Sequence, residues 1–546
     1  MRAEAWRAEL ERPGRDGAKS YAQAHPELAR AILEGIEQGV RIGFKGDRAR
    51  SRTCVNLGSA TKDDAVRAAI SAIIAADVAA GKKAGPFDAP PFEFFSASPI
   101  GAVPKGLDAW RAIHHLSFPY GKDSCSINAG IEREELTLGR FDDACDAVRS
   151  LGADCFLVKL DVEAAYKQVP VHPDDRALLG LRWEGKYYYE LVLPFGLRTA
   201  GNRWEMYATA LHYFFQHHLG VDVVIHYVDD FLFVVACKER AQQNLSDVLD
   251  LCARLGVPMA SKKTEGPTPC LTFLGIELDT HAMEARLDTK RLSELQLLLS
   301  RWGERRTTTL RELQSLTGKL NFAATVVRRG RAYLRRLIDL QRAIKAQPGA
   351  TPRTSHRLSN AALRDVQWWR DFLVQWNGRA LLYEQQWTDA ARIELFTDAC
   401  NTGYGAHFGD RWFAGHWSKA QLRRAQRGKR ISMPFLELHA LVHAAAVWGH
   451  LWPGKKITFR SDCLPVVLAI RSMSSKQQDS MRLLRHLDAI AARHGFDFRC
   501  EHIAGVTNTV ADALSRDGSD LQSRALRPSL LPLPDPSPPL PPLEQL

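Results

Sequence analysis

Residues 223–236 read VVIHYVDDFLFVVA. Two runs rich in β-branched and aromatic residues meet at an adjacent pair of carboxylates, Asp229 and Asp230. Runs of this composition predict strands, so the segment predicts a hairpin that carries both acids at its tip. Two neighbouring anions on a half-buried turn repel, and each raises the other's pKa unless a cation lies between them. Working outward, CFLVKLDV (155–162) predicts a second strand ending at Asp161, followed by the aromatic Tyr166. KYYYELVLP (186–194) predicts a third strand. A lone Asp-Asp pair is most often a polar turn. Three carboxylates on the ends of apolar strands are instead what a pair of Mg²⁺ ions about 3.5–4 Å apart requires.

The 546-residue chain is long enough for three to four compact units. It holds 73 Lys+Arg against 62 Asp+Glu, a formal charge of +11. That excess favours a polyanionic partner and says nothing about fold. The content of 45% hydrophobic and 25% charged residues excludes wholesale disorder. Ten scattered cysteines with no Cys-x-x-Cys pair argue against a disulfide scaffold or a zinc ribbon. No run approaches the about 18 uninterrupted apolar residues of a membrane span, since AISAIIAADVAA (69–80) is broken by Asp77. A soluble intracellular protein with no membrane partner is expected.

Texture divides the chain into five parts. Residues 1–85 are Ala- and Arg-rich with helical periodicity, as in DDAVRAAISAIIAADVAAG (63–81), and predict an N-terminal helical extension. Residues 86–282 are mixed helix and strand. Helices return over 283–385, where VVRRGRAYLRRLIDLQRAIK (326–345) interleaves aliphatics with arginines. That pattern suits either a face laid on a phosphate backbone or a plain solvated face. A second mixed unit spans 388–518, with Gly409-Asp410 as a two-residue hairpin turn. The tail, 519–546, is Pro-rich and expected to be extended and disordered.

The second mixed unit has its own acids. Asp398 closes IELFTDA, Glu437 opens the helix PFLELHALVHAAAVWG (434–449), Asp462 follows KITFRS, and Asp512 lies in VADALSR. Each ends or opens an element, the usual place for active-site groups on an α/β scaffold. SKAQLRRAQRGKR (418–430) reads as a basic loop that either clamps a nucleic acid or is a solvated surface.

YVDD within an apolar hairpin, preceded by LDVEAAY (160–166) and LPFGL (193–197), resembles the palm of retroelement reverse transcriptases, especially gypsy-like and DIRS-like ones, over residues 90–280. The order and settings of the four later acids resemble a ribonuclease H, with HIAGVTNTVADALSR (502–516) as its closing segment. The resemblance implies a multidomain α+β and α/β chain: a right-hand polymerase with fingers and palm in 86–282 and a helical thumb and connection in 283–385, followed by a ribonuclease H-like domain.

It further implies that Asp161, Asp229, Asp230 and the carbonyl of Val162 hold two Mg²⁺, and that Asp398, Glu437, Asp462 and Asp512 hold two more, with Mn²⁺ able to substitute. Lys105 and Arg111, in SPIGAVPKGLDAWRAIHHLS (98–117), would grip the triphosphate, although His115 stands where relatives often carry a carboxylate. Tyr166 would act as a steric gate against a 2′-hydroxyl and Phe195 would line the nucleotide pocket. Gly196 would let the backbone approach template and primer, and either Lys262 or Lys263 would sit near the pyrophosphate. LTFLGIELD (271–279) resembles the hairpin that grips the primer, and His502 is either a product-release residue or a structural histidine. The implied function is RNA- and DNA-directed DNA polymerisation with ribonuclease H activity, copying a retrotransposon RNA in a cytoplasmic particle or the nucleus. The implied partners are an RNA template, a DNA primer, an RNA–DNA hybrid and deoxynucleoside triphosphates. The alternative is an inactive or domesticated remnant that only binds nucleic acid.

Overall fold

The structure, a computed structural model, describes residues 1–516 apart from 105–108, 122–124, 350, 376–379, 382–391 and 428–429. The Pro-rich tail expected at 519–546 lies outside the described residues. The chain divides into two units, Met1–Met283 and Glu284–Leu546.

The first unit opens with helices α1 (Ala3–Glu11), α2 (Pro26–Glu37) and α3 (Asp64–Ala79). Asp63 starts α3 by accepting from the N–H groups of Ala65 and Val66, and Val66, Ile70 and Ile74 form its buried stripe. Strand β1 (Lys83–Phe87) follows, then the hairpin of β2 (Ile100–Pro104) and β3 (Trp110–His114), helix α4 (Phe141–Leu151) and strand β4 (Phe156–Asp161). The hairpin of β5 (Gly180–Trp183) and β6 (Lys186–Glu190) precedes α5 (Ala200–Tyr213), β7 (Val223–Tyr227), β8 (Asp230–Val235) and α6 (Lys238–Leu255). Strand β9 (Glu265–Thr268) and the hairpin of β10 (Cys270–Phe273) and β11 (Ile276–Asp279) complete the unit.

Strands β9, β4, β8 and β7, in that order, form a four-stranded antiparallel sheet. The centre of this sheet is apolar because β8 is buried along Phe231–Val235 and β4 contributes Leu157, Val158 and Leu160. The helical extension expected at 1–85 is not an appendage. Trp6, Leu10, Tyr21, Ala29 and Ile32 share one core with Val158, Leu160, Phe231 and Phe233. Trp6 is fully buried, donates from Nε1 to the Leu255 carbonyl at 3.1 Å, and meets Tyr207 edge-on at 5.7 Å. Trp6→Ala is therefore expected to destabilise the first unit by about 3–5 kcal/mol, read by denaturant unfolding. A loss below about 1 kcal/mol would show that the first helix is dispensable to this core.

The second unit begins with α7 (Thr289–Gly303), α8 (Leu310–Ala323), α9 (Arg335–Lys345) and α10 (Asn360–Gln375). A capping box between Thr309 and Glu312 opens α8. The arginines around α9 fit neither sequence-based reading fully, because several are consumed in ion pairs. Arg336 lies 2.9 Å from the fully buried Asp365, which also takes Arg485 at 3.3 Å, and Arg329 lies 3.3 Å from Asp488. Tyr333 stacks on Trp368 with ring centroids 3.9 Å apart. Paired in this way, these groups are not free for phosphate.

Next come β12 (Arg392–Ala399), β13 (Gly403–Phe408) and β14 (Arg411–His416), then α11 (Lys419–Ala425) and α12 (Met433–Trp448). The unit continues with β15 (Lys456–Ser461), α13 (Leu464–Ser472), α14 (Gln478–His494), β16 (Asp497–His502) and α15 (Thr509–Arg516). The sheet order is β14-β13-β12-β15-β16, with the first three antiparallel and the last two joined in parallel. Phe408 pairs with Arg411 across Gly409 and Asp410, so the expected two-residue turn is present. Helix α12 is buried almost throughout, which explains why its sequence is apolar on all sides. The basic stretch 418–430 was expected as a loop. Its described part is instead the short helix α11, with Ser418 as cap, and a two-stranded ribbon pairing Gln426 with Ile431.

Candidate active sites

The 223–236 hairpin turns through Val228 and Asp229, with Tyr227 opposite Asp230. Val228 has φ +59°, a strained value for a β-branched residue. The strain is held from two sides: Trp204 Nε1 donates to the Val228 carbonyl at 2.7 Å, and Val162 N–H donates to the Asp229 carbonyl at 3.0 Å. Asp230 lies opposite Asp161 across β8 and β4, so Asp161, Asp229 and Asp230 converge with carboxylate oxygens within 4.8 Å of one another. Burial, with the other two acids adding to it, pushes Asp230 up to about 6, and burial followed by Asp161 raises Asp229.

The backbone beside this cluster leaves an acceptor open. Ala260 N–H donates to the Asp161 carbonyl and Glu163 N–H donates to the Pro258 carbonyl, which brackets Val162 and keeps its own carbonyl out of that ladder. Of the two lysines left open by the sequence, Lys263 reaches the cluster, with Nζ 2.5 Å from Asp161 Oδ2. No such contact is formed by Lys262 among the described residues.

Tyr166 and Phe195 face each other with ring centroids 5.4 Å apart, and the Arg111 guanidinium lies 4.7 Å over the Phe195 ring. Three of the expected nucleotide-binding residues are thus brought together. Lys105 lies outside the described residues. Gly196 has φ +110°, and a Cβ there would lie 2.0 Å from the His114 carbonyl oxygen. Its demonstrable need for glycine is therefore this approach to β3, where the sequence suggested an approach to template and primer. His115 bonds the exposed Tyr120 hydroxyl at 3.2 Å.

In the second unit Asp398 near the end of β12, Glu437 on α12 and Asp462 just past β15 bring carboxylate oxygens within 4.8 Å of one another. Burial and the two neighbouring acids push Glu437 up to about 9, and among the described residues its buried Oε2 has no hydrogen-bond partner. Burial is also the main reason that Asp398 rises to about 6. The fourth expected acid, Asp512, is not among these three, although its charge reaches Asp398. It lies on α15 and pairs with Arg516 one turn on, at 2.6 Å. Helix α15 can lie on the sheet because Gly405 has no Cβ, which would otherwise meet Leu514 Cβ at 2.3 Å. His502 Nε2 is 3.1 Å from the Asp462 carbonyl oxygen, on the exposed rim of the cluster.

One residue of this site escaped the sequence reading. The buried Ser515 hydroxyl donates to Asp398 Oδ2 at 2.5 Å, across 117 positions of chain. Nothing local distinguishes that serine from any other near a helix end. Both acid clusters suit divalent cations: each gathers hard oxygen donors raised by burial and by one another's charge, and in the second Glu437 Oε2 lacks a partner among the described residues.

Residues 113–278 match the reverse transcriptase (RNA-dependent DNA polymerase) family. Polyprotein P3 of Commelina yellow mottle virus is 22% identical over 397 residues, covering 71% of this chain and 19% of that protein. The transposon Tf2-3 polyprotein of Schizosaccharomyces pombe is 23% identical over 378 residues, covering 66% of this chain and 25% of that protein. The chain thus spans a quarter or less of the length of these relatives. A foamy viral protease-reverse transcriptase, solved in complex with double-stranded DNA, superposes with a TM-score of 0.50 at 13% identity, covering 92% of this chain and 82% of that one. Its polymerase fold is shared here. The acid-tipped hairpin therefore lies within the segment that matches the reverse transcriptase family, in a chain that resembles retroelement and viral polyproteins along about two-thirds of its length.

Proposed function

We propose that this chain copies RNA, and DNA, into DNA by extending a primer, and that its second unit degrades the RNA strand of RNA–DNA hybrids. The observation that carries the first half is the convergence of Asp161, Asp229 and Asp230 at the end of an apolar sheet within the reverse transcriptase domain, beside Lys263. Fingers and palm would occupy 86–282, thumb and connection 283–385, and the nuclease 388–518.

Asp161, Asp229, Asp230 and the Val162 carbonyl would hold two Mg²⁺, and these would supply charge stabilisation for attack of a primer 3′-hydroxyl on a deoxynucleotide α-phosphate, with pyrophosphate leaving. Phe195 and Tyr166 would bracket the sugar, and the Tyr166 ring would exclude a 2′-hydroxyl by clash. Arg111, stacked on Phe195, would keep its fork directed at phosphate oxygens. Lys263 would neutralise Asp161 before substrate arrives and protonate the leaving pyrophosphate afterwards.

For the second half, the supporting observation is the trio of Asp398 and Asp462, at strand ends of a five-stranded sheet of mixed direction, and Glu437, on the helix packed against it. Asp512 would join them by exchanging Arg516 for a metal ion. A hybrid would be told from DNA by its 2′-hydroxyls.

The test is primer extension on an RNA template with Mg²⁺ and a labelled hybrid as the nuclease substrate. Extension by the wild-type chain that is lost in Asp229→Asn, and cleavage that is lost in Asp398→Asn while extension persists, is the expected pattern. Binding of template-primer without extension in the wild type would favour the inactive remnant.

A further inference from the structure

The aromatic pair Tyr166 and Phe195 is braced by chain that lies upstream of the reverse transcriptase match at 113–278. Tyr166 sits in a short 3₁₀ turn, Ala165–Gln168, entered through Ala164 at φ +48°. The next residue, Lys167, extends back to Asp77 near the end of α3, with Nζ 2.6 Å from each carboxylate oxygen. Both side chains are largely buried, 17% and 12% exposed, so this pair is poorly screened by solvent.

Phe195 is braced by a second chain of contacts. His114 N–H donates to the Phe195 carbonyl at 2.9 Å, and the His114 carbonyl closes on Gly196. The His114 ring places Nδ1 3.5 Å from Glu190 Oε1, and the same oxygen receives Lys83 Nζ at 2.5 Å. All three side chains are at most 6% exposed. Asp77 and Lys83 bound a single connection between α3 and β1. That connection is itself fixed, because Lys82 N–H donates to the Asp77 carbonyl and Leu191 N–H donates to the Lys82 carbonyl.

We infer that Asp77 and Lys83 are positioning residues that set the separation of Tyr166 and Phe195, and through it the discrimination between deoxy- and ribonucleoside triphosphates. The inference rests on the proposed reading of Tyr166 as a gate against the 2′-hydroxyl. Exclusion by clash is steep in distance, so an aromatic ring excludes a hydroxyl only while its backbone is held still. Asp77 holds the turn that carries one ring, and Lys83 holds the strand contact behind the other. Neither touches the nucleotide. Breaking the Lys83–Glu190 pair would strand a buried charge and threaten the fold, so the informative substitution is at Asp77.

The experiment is single-nucleotide primer extension by the full chain, comparing kcat/KM for a deoxynucleotide with that for the matching ribonucleotide. Asp77→Asn is expected to lower this ratio about tenfold, mainly through a lower KM for the ribonucleotide, as a loosened gate requires. The exchange of Asp77→Lys with Lys167→Asp is expected to restore the ratio. Tyr166→Ala is the reference, because it removes the ring itself. If Tyr166→Ala relaxes discrimination and Asp77→Asn does not, the positioning role is overturned and the gate stands. If Tyr166→Ala leaves discrimination intact, the gate reading falls and the inference falls with it. Slower turnover in Asp77→Asn at unchanged discrimination would mark a purely structural pair and would also overturn the inference.

Discussion

Primer extension by Asp229→Asn is expected to fall by about three orders of magnitude, with no loss of thermal stability. The first half follows from the chemistry of the proposed reaction. Removing one anionic ligand forfeits roughly 4 kcal/mol of charge stabilisation at the reacting phosphate, and each 1.36 kcal/mol is about tenfold in rate. The second half follows from the cluster's own electrostatics. Asp229 and Asp230 are raised first by burial and then by neighbouring carboxylates, so neutralising Asp229 relieves repulsion and brings Asp230 down from about 6. The turn survives because its backbone bonds, Trp204 to the Val228 carbonyl and Val162 to the Asp229 carbonyl, do not involve the substituted side chain. Single-turnover extension together with a thermal melt checks both halves. Extension at the wild-type rate would remove Asp229 from the proposed metal set.

Glu437→Gln is expected to abolish hybrid cleavage while spared polymerisation continues, and to stabilise the metal-free protein by a few degrees in Tm. The folded chain holds the Glu437 proton up to about pH 9, whereas the unfolded chain releases it near the ordinary value of 4.5. Between those limits the native state binds more protons than the unfolded state, so stability falls as pH rises through the interval. Glutamine cannot ionise and does not contribute to that decline. The difference in Tm between variant and wild type should therefore grow from pH 5 to pH 9, and added Mg²⁺ should shrink it by stabilising more strongly the chain that retains the carboxylate. A difference independent of pH would mean that the Glu437 carboxyl is not held above its ordinary value in the folded chain.

Much of the acid geometry was legible locally. A carboxylate at the end of an apolar run reads as a strand tip, and Asp161, Asp229, Asp398 and Asp462 all stand at or beside strand ends. The two-residue turn at Gly409-Asp410 was equally readable, because register in a tight hairpin follows from its loop length. The arginines of 326–345 were less readable. A basic amphipathic helix looks the same whether its cations face phosphate or a buried carboxylate, and Asp365 and Asp488 are distant in sequence from the arginines that pair with them. The same limit hid Ser515.

By itself, the sequence determined that two separate acid centres stand on strand ends and helix starts, since alternation of apolar and polar residues and the cost of clustered anions are properties of short segments. The tertiary structure alone decided that Trp6, Tyr21 and Ile32 belong to the first core, that Lys263 and not Lys262 reaches the acids, and that Asp77 and Lys83 stand behind the aromatic pair. These are pairings across 90 or more residues, or choices between adjacent side chains. Which of two neighbours points inward depends on what packs opposite, and that partner is supplied by a distant part of the chain.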